Sequence, residues 1–189
     1  MLRPRLVLLL AAVLLLPGGL VAPAQAAARP SCGTTWGSQP RSSDRSRVSG
    51  DFVENVRAGR HACYDRLVIY VGEAGGLDSY DVRYVPVVTA EGSGDVVPLR
   101  GRAALQVVVR APAYDQYGQA TYSPANPSEL ARVGGYRTFR QVAWAGSFEG
   151  QTTLGLGVRA RLPFRVFMLF GPPGVGPDMR VVVDVAHRW

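Results

Sequence analysis

The chain contains few of the residues from which metal centres are built. Its only cysteines and histidines are Cys32, Cys63, His61 and His187. A protein zinc site usually needs three or four ligands at characteristic spacings. One alternative places His61, Cys63 and Asp65 on one face of a strand, but His187 is the only other histidine and lies far along the chain. We therefore expect no metal and no cofactor.

Helical periodicity is also nearly absent, and apolar and polar residues instead alternate with a period of two. Glycine (22 residues) and proline (14 residues) are frequent, which indicates many sharp turns. Lysine is missing, so all 21 basic residues are arginine, a bias to which we attach no function. The pattern predicts an all-β protein, a two-sheet β-sandwich of about seven strands. The candidate strands are Arg66–Val71, Asp81–Val88, Ala103–Ala111, Tyr136–Ala145, Gln151–Val158, Phe164–Phe170 and Arg180–Ala186.

Two details of this pattern predict where strands lie. Arg66–Val71 and Arg180–Ala186 are apolar on both faces, which is typical of central, buried strands. Gly155 and Gly157 share one face of another strand, so a bulky neighbour, such as an aromatic side chain, should lie across them.

The N-terminus has the order of a signal peptide. Arg3 and Arg5 precede the apolar run Leu6–Leu16, and Ala24–Ala26 forms a small-x-small cleavage site. The apolar run is about half the length that a membrane-spanning helix needs, and Pro17 follows it, which argues against an uncleaved anchor. We predict that residues 1–26 are removed and that the mature chain is secreted without a transmembrane segment.

Export allows a disulfide. Cys32 and Cys63 form an even pair in a secreted chain, which predicts one bond between them. Cys32 does not follow the small-residue triplet that lipidation requires, so we expect no lipid anchor. The bond would tether an irregular segment, residues 27–48, to a β-sandwich domain over residues 49–189.

One short helix is expected in a connecting loop. Asn126 is a suitable cap, Pro127 suits the first helical position, and Gly134 can end the helix. The stretch before it, Pro112–Asn126, contains Tyr114, Tyr117 and Tyr122 and is expected to be a long ordered loop. Exposed tyrosines are common in protein interfaces, so docking to a secreted partner protein is one hypothesis.

Catalytic motifs are weak. Gly155–Ala160 matches a dinucleotide fingerprint, but Leu162 and Pro163 disfavour the helix that must follow it. Ser147 lies in an incomplete nucleophile-elbow motif. A small wall hydrolase stays a hypothesis only if carboxylates converge in space, and we expect no enzyme. The candidate carboxylates are Asp65, Asp81, Glu149 and Asp184.

Arginines give the clearest indication of a ligand. Arg159, Arg161 and Arg165 share parity along an extended segment and would form a basic stripe. Arg100, Arg102, Arg137 and Arg140 are candidates to extend it. The formal net charge is +7, and +5 without Arg3 and Arg5, so an exported chain would attract wall polymers, acidic glycans or anionic lipids. Nucleic acid is not expected, because export separates the chain from it.

Short motifs along the chain resemble the AMIN-like domain proteins of high-GC Gram-positive bacteria, which are related to the N-terminal domain of cell-wall amidases. The resemblance covers roughly residues 49–189 and rests on Val56–His61, Tyr64–Ile69, Tyr80–Val85, Phe148–Gly150, Leu156–Val158, Pro163–Phe167 and Val181–His187. It implies a β-sandwich, an extracytoplasmic location and a binding or localising role, since AMIN domains attach enzymes to peptidoglycan. It supplies no catalytic residues.

Together these observations predict a secreted, cell-wall-associated, non-enzymatic module that binds peptidoglycan or another anionic wall polymer. The candidate contact residues are Arg159, Arg161, Arg165, Tyr114 and Tyr117.

Overall fold

A computed structural model describes residues 32–43, 52–72, 79–171 and 179–189. The predicted signal peptide, residues 1–26, lies outside these ranges. The described residues form strands and no helix, so the all-β prediction is confirmed. The strands are β1 (Arg41–Ser42), β2 (Phe52–Arg60), β3 (Tyr64–Gly72), β4 (Tyr80–Val85), β5 (Val88–Thr89), β6 (Val96–Val97), β7 (Ala103–Val109), β8 (Phe139–Phe148), β9 (Gln151–Val158), β10 (Phe164–Phe170) and β11 (Met179–Ala186).

Two large antiparallel sheets share one hydrophobic core. The first has the order β1-β4-β7-β9-β8 and the second β10-β11-β3-β2, while β5 and β6 form a separate hairpin. Strands β3 and β11 are central in the second sheet, as their apolar sequences predict. The core draws on both sheets, for example on Leu67 and Val183 from one and on Leu105 and Leu154 from the other.

The predicted number of strands is too low. All seven candidate segments contain a strand, but the chain also forms β1, β2, β5 and β6. Three of these are only two residues long, too short to show a period. Strand β2 has a register shift between Val53 and Asn55, which breaks the alternation that the sequence would otherwise display.

The predicted helix at Asn126–Gly134 is wrong, because this segment instead runs along the open edge of β8. The Leu130 amide donates to the Val142 carbonyl at 2.8 Å, and the Trp144 amide donates to the Pro127 carbonyl at 2.7 Å. Unpaired backbone groups at a sheet edge are costly if they are buried, and they invite aggregation if they are exposed. The Leu130 amide and the Pro127 carbonyl are therefore already hydrogen-bonded to β8 and are not available for the hydrogen bonds of a helix.

The glycines of β9 are covered by the connection between β6 and β7. A Cβ atom at Gly155 would lie 3.0 Å from a Leu99 methyl group, and one at Gly157 would lie 2.1 Å from the Arg100 carbonyl oxygen. The expected bulky neighbour is thus an aliphatic side chain with backbone beside it, not an aromatic ring. This close approach fixes the position of Arg100 on the sheet.

The predicted Cys32–Cys63 disulfide is confirmed, with Cα atoms 5.3 Å apart. It holds residues 32–37 against the second sheet, before the chain continues into β1 of the first sheet. Trp36 packs on Tyr64 with ring centroids 5.7 Å apart, and the Phe164 amide at the start of β10 donates to the Gly37 carbonyl at 2.9 Å.

Replacement of both Cys32 and Cys63 by serine should lower the free energy of unfolding by about 3–4 kcal/mol, because the open chain gains conformational entropy. Urea unfolding of the mature chain measures this. Reduction of the wild type should lower its stability to that of the double variant. A loss below about 1 kcal/mol would contradict this and would show that the unfolded chain gains little freedom when the bond is absent.

Tyr84 lies between the sheets. Its ring contacts Phe164 edge-on at 5.6 Å, and its hydroxyl donates to the Leu162 carbonyl at 2.9 Å and accepts from the Leu162 amide at 3.0 Å. Burial raises the pKa of the Tyr84 hydroxyl above its ordinary value, and the hydrogen bond to Leu162 and the charge of Arg161 offset this only in part.

A raised pKa in the folded state means that stability is full below the unfolded pKa of about 10 and falls as the pH rises further. Tyr84→Phe should flatten this alkaline decline, while costing about 1–3 kcal/mol at neutral pH because the Leu162 backbone loses its partner. Urea unfolding between pH 7 and 11 measures both effects. An unchanged alkaline slope would assign the decline to Tyr80 and Tyr122, whose pKa values burial also raises.

Candidate functional site

The candidate catalytic carboxylates do not converge. Asp65 lies on the inner face of β3, and Asp184 lies on the outer face of β11. Glu149 is exposed in the turn between β8 and β9, where it adopts a positive φ of 48°. The Ser147 hydroxyl accepts the Ala113 amide at 2.8 Å and donates to the Gln151 carbonyl at 3.1 Å. Ser147 thus has a structural role in the β8–β9 hairpin. These residues do not assemble the site that a hydrolase needs.

The outer face of the second sheet carries an ionic cluster. Arg165, Asp184 and Arg66 lie opposite one another on β10, β11 and β3. Arg66 makes two hydrogen bonds to the buried Asp184 carboxylate at 2.6 and 2.9 Å, and Arg165 donates to it at 2.9 Å. The bond to Asp184 raises the pKa of Arg66. Trp36 covers the Arg165 guanidinium at 4.3 Å, so the disulfide-bound segment shields this cluster.

The three arginines of the predicted basic stripe each have a partner within the chain. Arg159 donates to the His187 carbonyl. Arg161 donates to the Ser38 carbonyl at 3.1 Å and lies over the Tyr84 ring at 5.1 Å. Arg165 bonds to Asp184 as described. The structure therefore uses all three to hold the C-terminus and the N-terminal segment against the sheets.

A buried carboxylate fixes the start of β8. Asp65 Oδ2 accepts the amides of Thr138 and Phe139 at 2.5 and 3.1 Å, and Asp65 Oδ1 lies 3.1 Å from His187 Nε2. The Thr138 hydroxyl also donates to the Ala186 carbonyl at 3.1 Å. These bonds join both sheets at one point and set the position of residues 136–140.

Next to this point lies a cleft of about 570 Å³, lined by Arg100, Glu129, Arg132, Val133, Gly134, Gly135, Tyr136, Phe139 and Arg140. Three of the lining residues are arginines and one is acidic. Tyr136 and the buried Phe139 stack with ring centroids 6.1 Å apart and give the cleft an aromatic side. Arg60 lies over the Tyr136 ring at 5.8 Å and adds a fourth guanidinium beside it.

The cleft arginines differ in how far they are already bonded. Arg100 donates to Glu129 and, at 3.1 Å, to the Arg140 carbonyl. Arg140 donates to the carbonyls of Tyr136 and Phe139 at 3.1 and 2.8 Å. Arg132 is exposed and makes no hydrogen bond or ion pair with the part of the chain that the structure describes. Its guanidinium is available to an anion.

The sequence identified this cleft only in part. Arg100 and Arg140 were candidates as extensions of the basic stripe, while Arg132, Glu129 and Tyr136 were not candidates. The sequence feature that could have pointed to the cleft is the pair Gly134 and Gly135, which lies between Arg132 and Arg137 and indicates a turn flanked by arginines.

The predicted tyrosine loop is ordered. Tyr114 pairs with Ala120 in a bridge, and its hydroxyl accepts the Gly150 amide at 3.2 Å. Asp115 Oδ1 accepts the Tyr117 amide at 2.9 Å and so fixes the tip of the loop. Tyr117 itself is 79% exposed.

Two further observations bear on the class of protein. No group of three or more metal-ligating side chains occurs within the described ranges, and Cys63 is held in the disulfide. No helix in those ranges has the length and apolar character needed to cross a membrane.

Comparison with known proteins gives one match. The model of the AMIN-like domain family matches residues 51–187, whereas no curated protein and no solved structure shows significant similarity. AMIN-like domains are generally non-catalytic binding modules, and membership suggests a module associated with the cell wall. The disulfide is consistent with an extracytoplasmic location. Because the match spans well over half of the 189 residues, the chain belongs to the AMIN-like domain family.

Proposed function

We propose that this protein is a secreted, non-enzymatic module that binds an anionic polymer of the cell wall through the cleft around Arg132. The observation that carries the proposal is the guanidinium of Arg132, which has no partner among the described residues and lines one cleft with Arg100, Arg140 and an aromatic side. A guanidinium binds a carboxylate or a phosphate through two parallel hydrogen bonds. Peptidoglycan and other wall polymers carry such groups.

The dimensions of the cleft suit a short segment of polymer. Ligand sites in proteins commonly have volumes of about 300–1,000 Å³, and this cleft has about 570 Å³. The arginines of the cleft can hold the charge of the polymer, and Tyr136 gives the cleft an aromatic side.

Export supports this assignment. The proposed signal peptide over residues 1–26 and the Cys32–Cys63 bond both fit a chain that folds outside the cytoplasm. The use of arginine in place of every lysine is typical of a GC-rich genome, which fits an origin in a high-GC Gram-positive bacterium.

The stripe arginines Arg159, Arg161 and Arg165 have a secondary role in this proposal. Their guanidiniums are bonded within the chain, so a ligand would have to displace those partners. They contribute positive electrostatic potential at the surface, and the direct contacts with the polymer are made by the cleft residues.

Arg132→Ala should weaken binding of the mature chain to insoluble wall material at least tenfold at low ionic strength, because a hydrogen bond to a charged group contributes roughly 1.5–3 kcal/mol. Co-sedimentation across a salt series measures this, and added salt should reduce wild-type binding. Arg57→Ala is the matched control, since Arg57 is exposed on β2 and removes the same charge elsewhere.

Equal losses in both variants would indicate nonspecific charge attraction and would contradict the cleft as the site. Absence of wild-type binding to wall material would contradict the function itself.

A second candidate function is docking to a secreted protein through the tyrosine loop. The observation that favours it is the 79% exposure of Tyr117 at a tip that Asp115 holds in place. A rigid, protruding tyrosine is a frequent contributor to protein interfaces.

If this loop docks a partner, Tyr117→Ala should reduce recovery of that partner from cross-linked cell envelopes at least tenfold, since hot-spot residues contribute about 2 kcal/mol or more. Quantitative mass spectrometry of the recovered proteins measures the loss. Phe170→Ala is the control, because Phe170 is an aromatic residue with similar exposure, 67%, on β10. A partner that is recovered equally with both variants does not dock through Tyr117.

A further inference from the structure

Among the described residues, Glu129 is the only acidic one that lines the cleft, and the fold holds it in place. Its amide donates to the Asn126 carbonyl at 3.0 Å, and the next residue, Leu130, is bonded to the edge of β8. Its carboxylate Oε1 accepts from the Arg100 guanidinium. Glu129 is therefore a fixed part of the cleft.

The partner of Glu129 is equally fixed. The Arg100 amide donates to Gln141 Oε1 at 2.8 Å, and its guanidinium Nε donates to the Arg140 carbonyl at 3.2 Å. The close approach of Gly157 holds the Arg100 backbone from the other side. An anion entering the cleft thus meets an Arg100 that already has a carboxylate partner.

Only one of the two Glu129 carboxylate oxygens is used. Oε2 accepts no hydrogen bond from the described residues, and the side chain is 37% exposed. The cleft is therefore lined by two kinds of group without a partner among the described residues, the guanidinium of Arg132 and one carboxylate oxygen of Glu129. A ligand that satisfies both must carry an anion and a hydrogen-bond donor.

We propose that Glu129 determines the specificity of the cleft, so that it accepts carboxylated glycans and discriminates against polyphosphate chains. This inference rests on the proposed function. A carboxylated sugar carries hydroxyl or amide donors next to its carboxylate, and these donors can bond to Glu129 Oε2. A polyphosphate chain presents closely spaced negative charges without such donors, and the fixed carboxylate repels it.

Discrimination between the two polymers depends on repulsion of phosphate charges by Glu129 and on hydrogen bonds from sugar donors to Glu129. Both change when Glu129 loses its charge. Glu129→Gln keeps the size of the side chain but frees Arg100 from its ionic partner. The variant should gain affinity for polyphosphate about tenfold, while affinity for a carboxylated glycan should stay within about twofold, because the gained attraction is offset by a weaker acceptor.

The test measures the affinity of the mature chain for polygalacturonate and for inorganic polyphosphate by titration calorimetry at one fixed ionic strength. Wild type, Glu129→Gln and Glu149→Gln are compared. Glu149→Gln is the matched control, because it makes the same change of net charge in an exposed turn away from the cleft. The quantity of interest is the ratio of the two affinities in each variant.

The expected result is a ratio shifted about tenfold towards polyphosphate in Glu129→Gln and unchanged in Glu149→Gln. An unchanged ratio in Glu129→Gln, or an equal shift in both variants, would overturn the inference. Arg132→Ala separates this failure from that of the proposed function. If Arg132→Ala weakens polygalacturonate binding while the ratio does not respond to Glu129, the cleft binds anions and only the specificity role of Glu129 fails. If Arg132→Ala has no effect, the cleft is not the site and both proposals fail.

Discussion

The carboxylate of Asp65 is the interaction on which the rest of this structure depends. It is buried at the start of β3, where an unsatisfied charged group would destabilise the fold by several kcal/mol. Two amides at the start of β8 and the His187 ring surround it, so residues from both sheets and from the end of the chain meet at one side chain. Because the bonded amides belong to Thr138 and Phe139, the same carboxylate sets the backbone from which the aromatic wall of the cleft projects.

Arginine is the only strong base in this chain, and what separates structural from available arginines is the presence of a partner. Asp184 is buried between Arg66 and Arg165, and removing either guanidinium would leave its charge less well compensated. Arg159 and Arg161 are bonded to backbone carbonyls at the two ends of the described chain. Parity along a strand shows that such side chains share a face, but it does not show which of them is already bonded. That depends on contacts between distant segments.

The elements that the sequence predicts well are those whose signal is local. Strands β3 and β11 are apolar on both faces and lie at the centre of their sheet, and the two cysteines form the predicted bond. The failures have a common cause. Asn126 and Pro127 suit the beginning of a helix and Gly134 suits its end. The backbone between them is nevertheless bonded to β8, a strand that begins after them in the chain. The cleft could be predicted only in part for the same reason, since Arg100, Glu129 and Arg140 meet only because the fold brings three separate segments together.

The wrongly predicted helix and the incompletely predicted cleft have the same structural cause, which is that residues 126–134 pair with β8. In an α-helix, residues three apart lie on neighbouring positions of one face, and the backbone groups of the segment bond to each other. Paired along β8 instead, the segment leaves Glu129 beside Arg100, and the chain then turns at Gly135, whose φ of 78° favours glycine, to place Tyr136 opposite. The requirement to close the edge of a sheet thus produces the concave surface. The same segment also packs on the core, because Val133 is buried in it, so one stretch of chain closes the sheet edge, covers the core and lines the cleft.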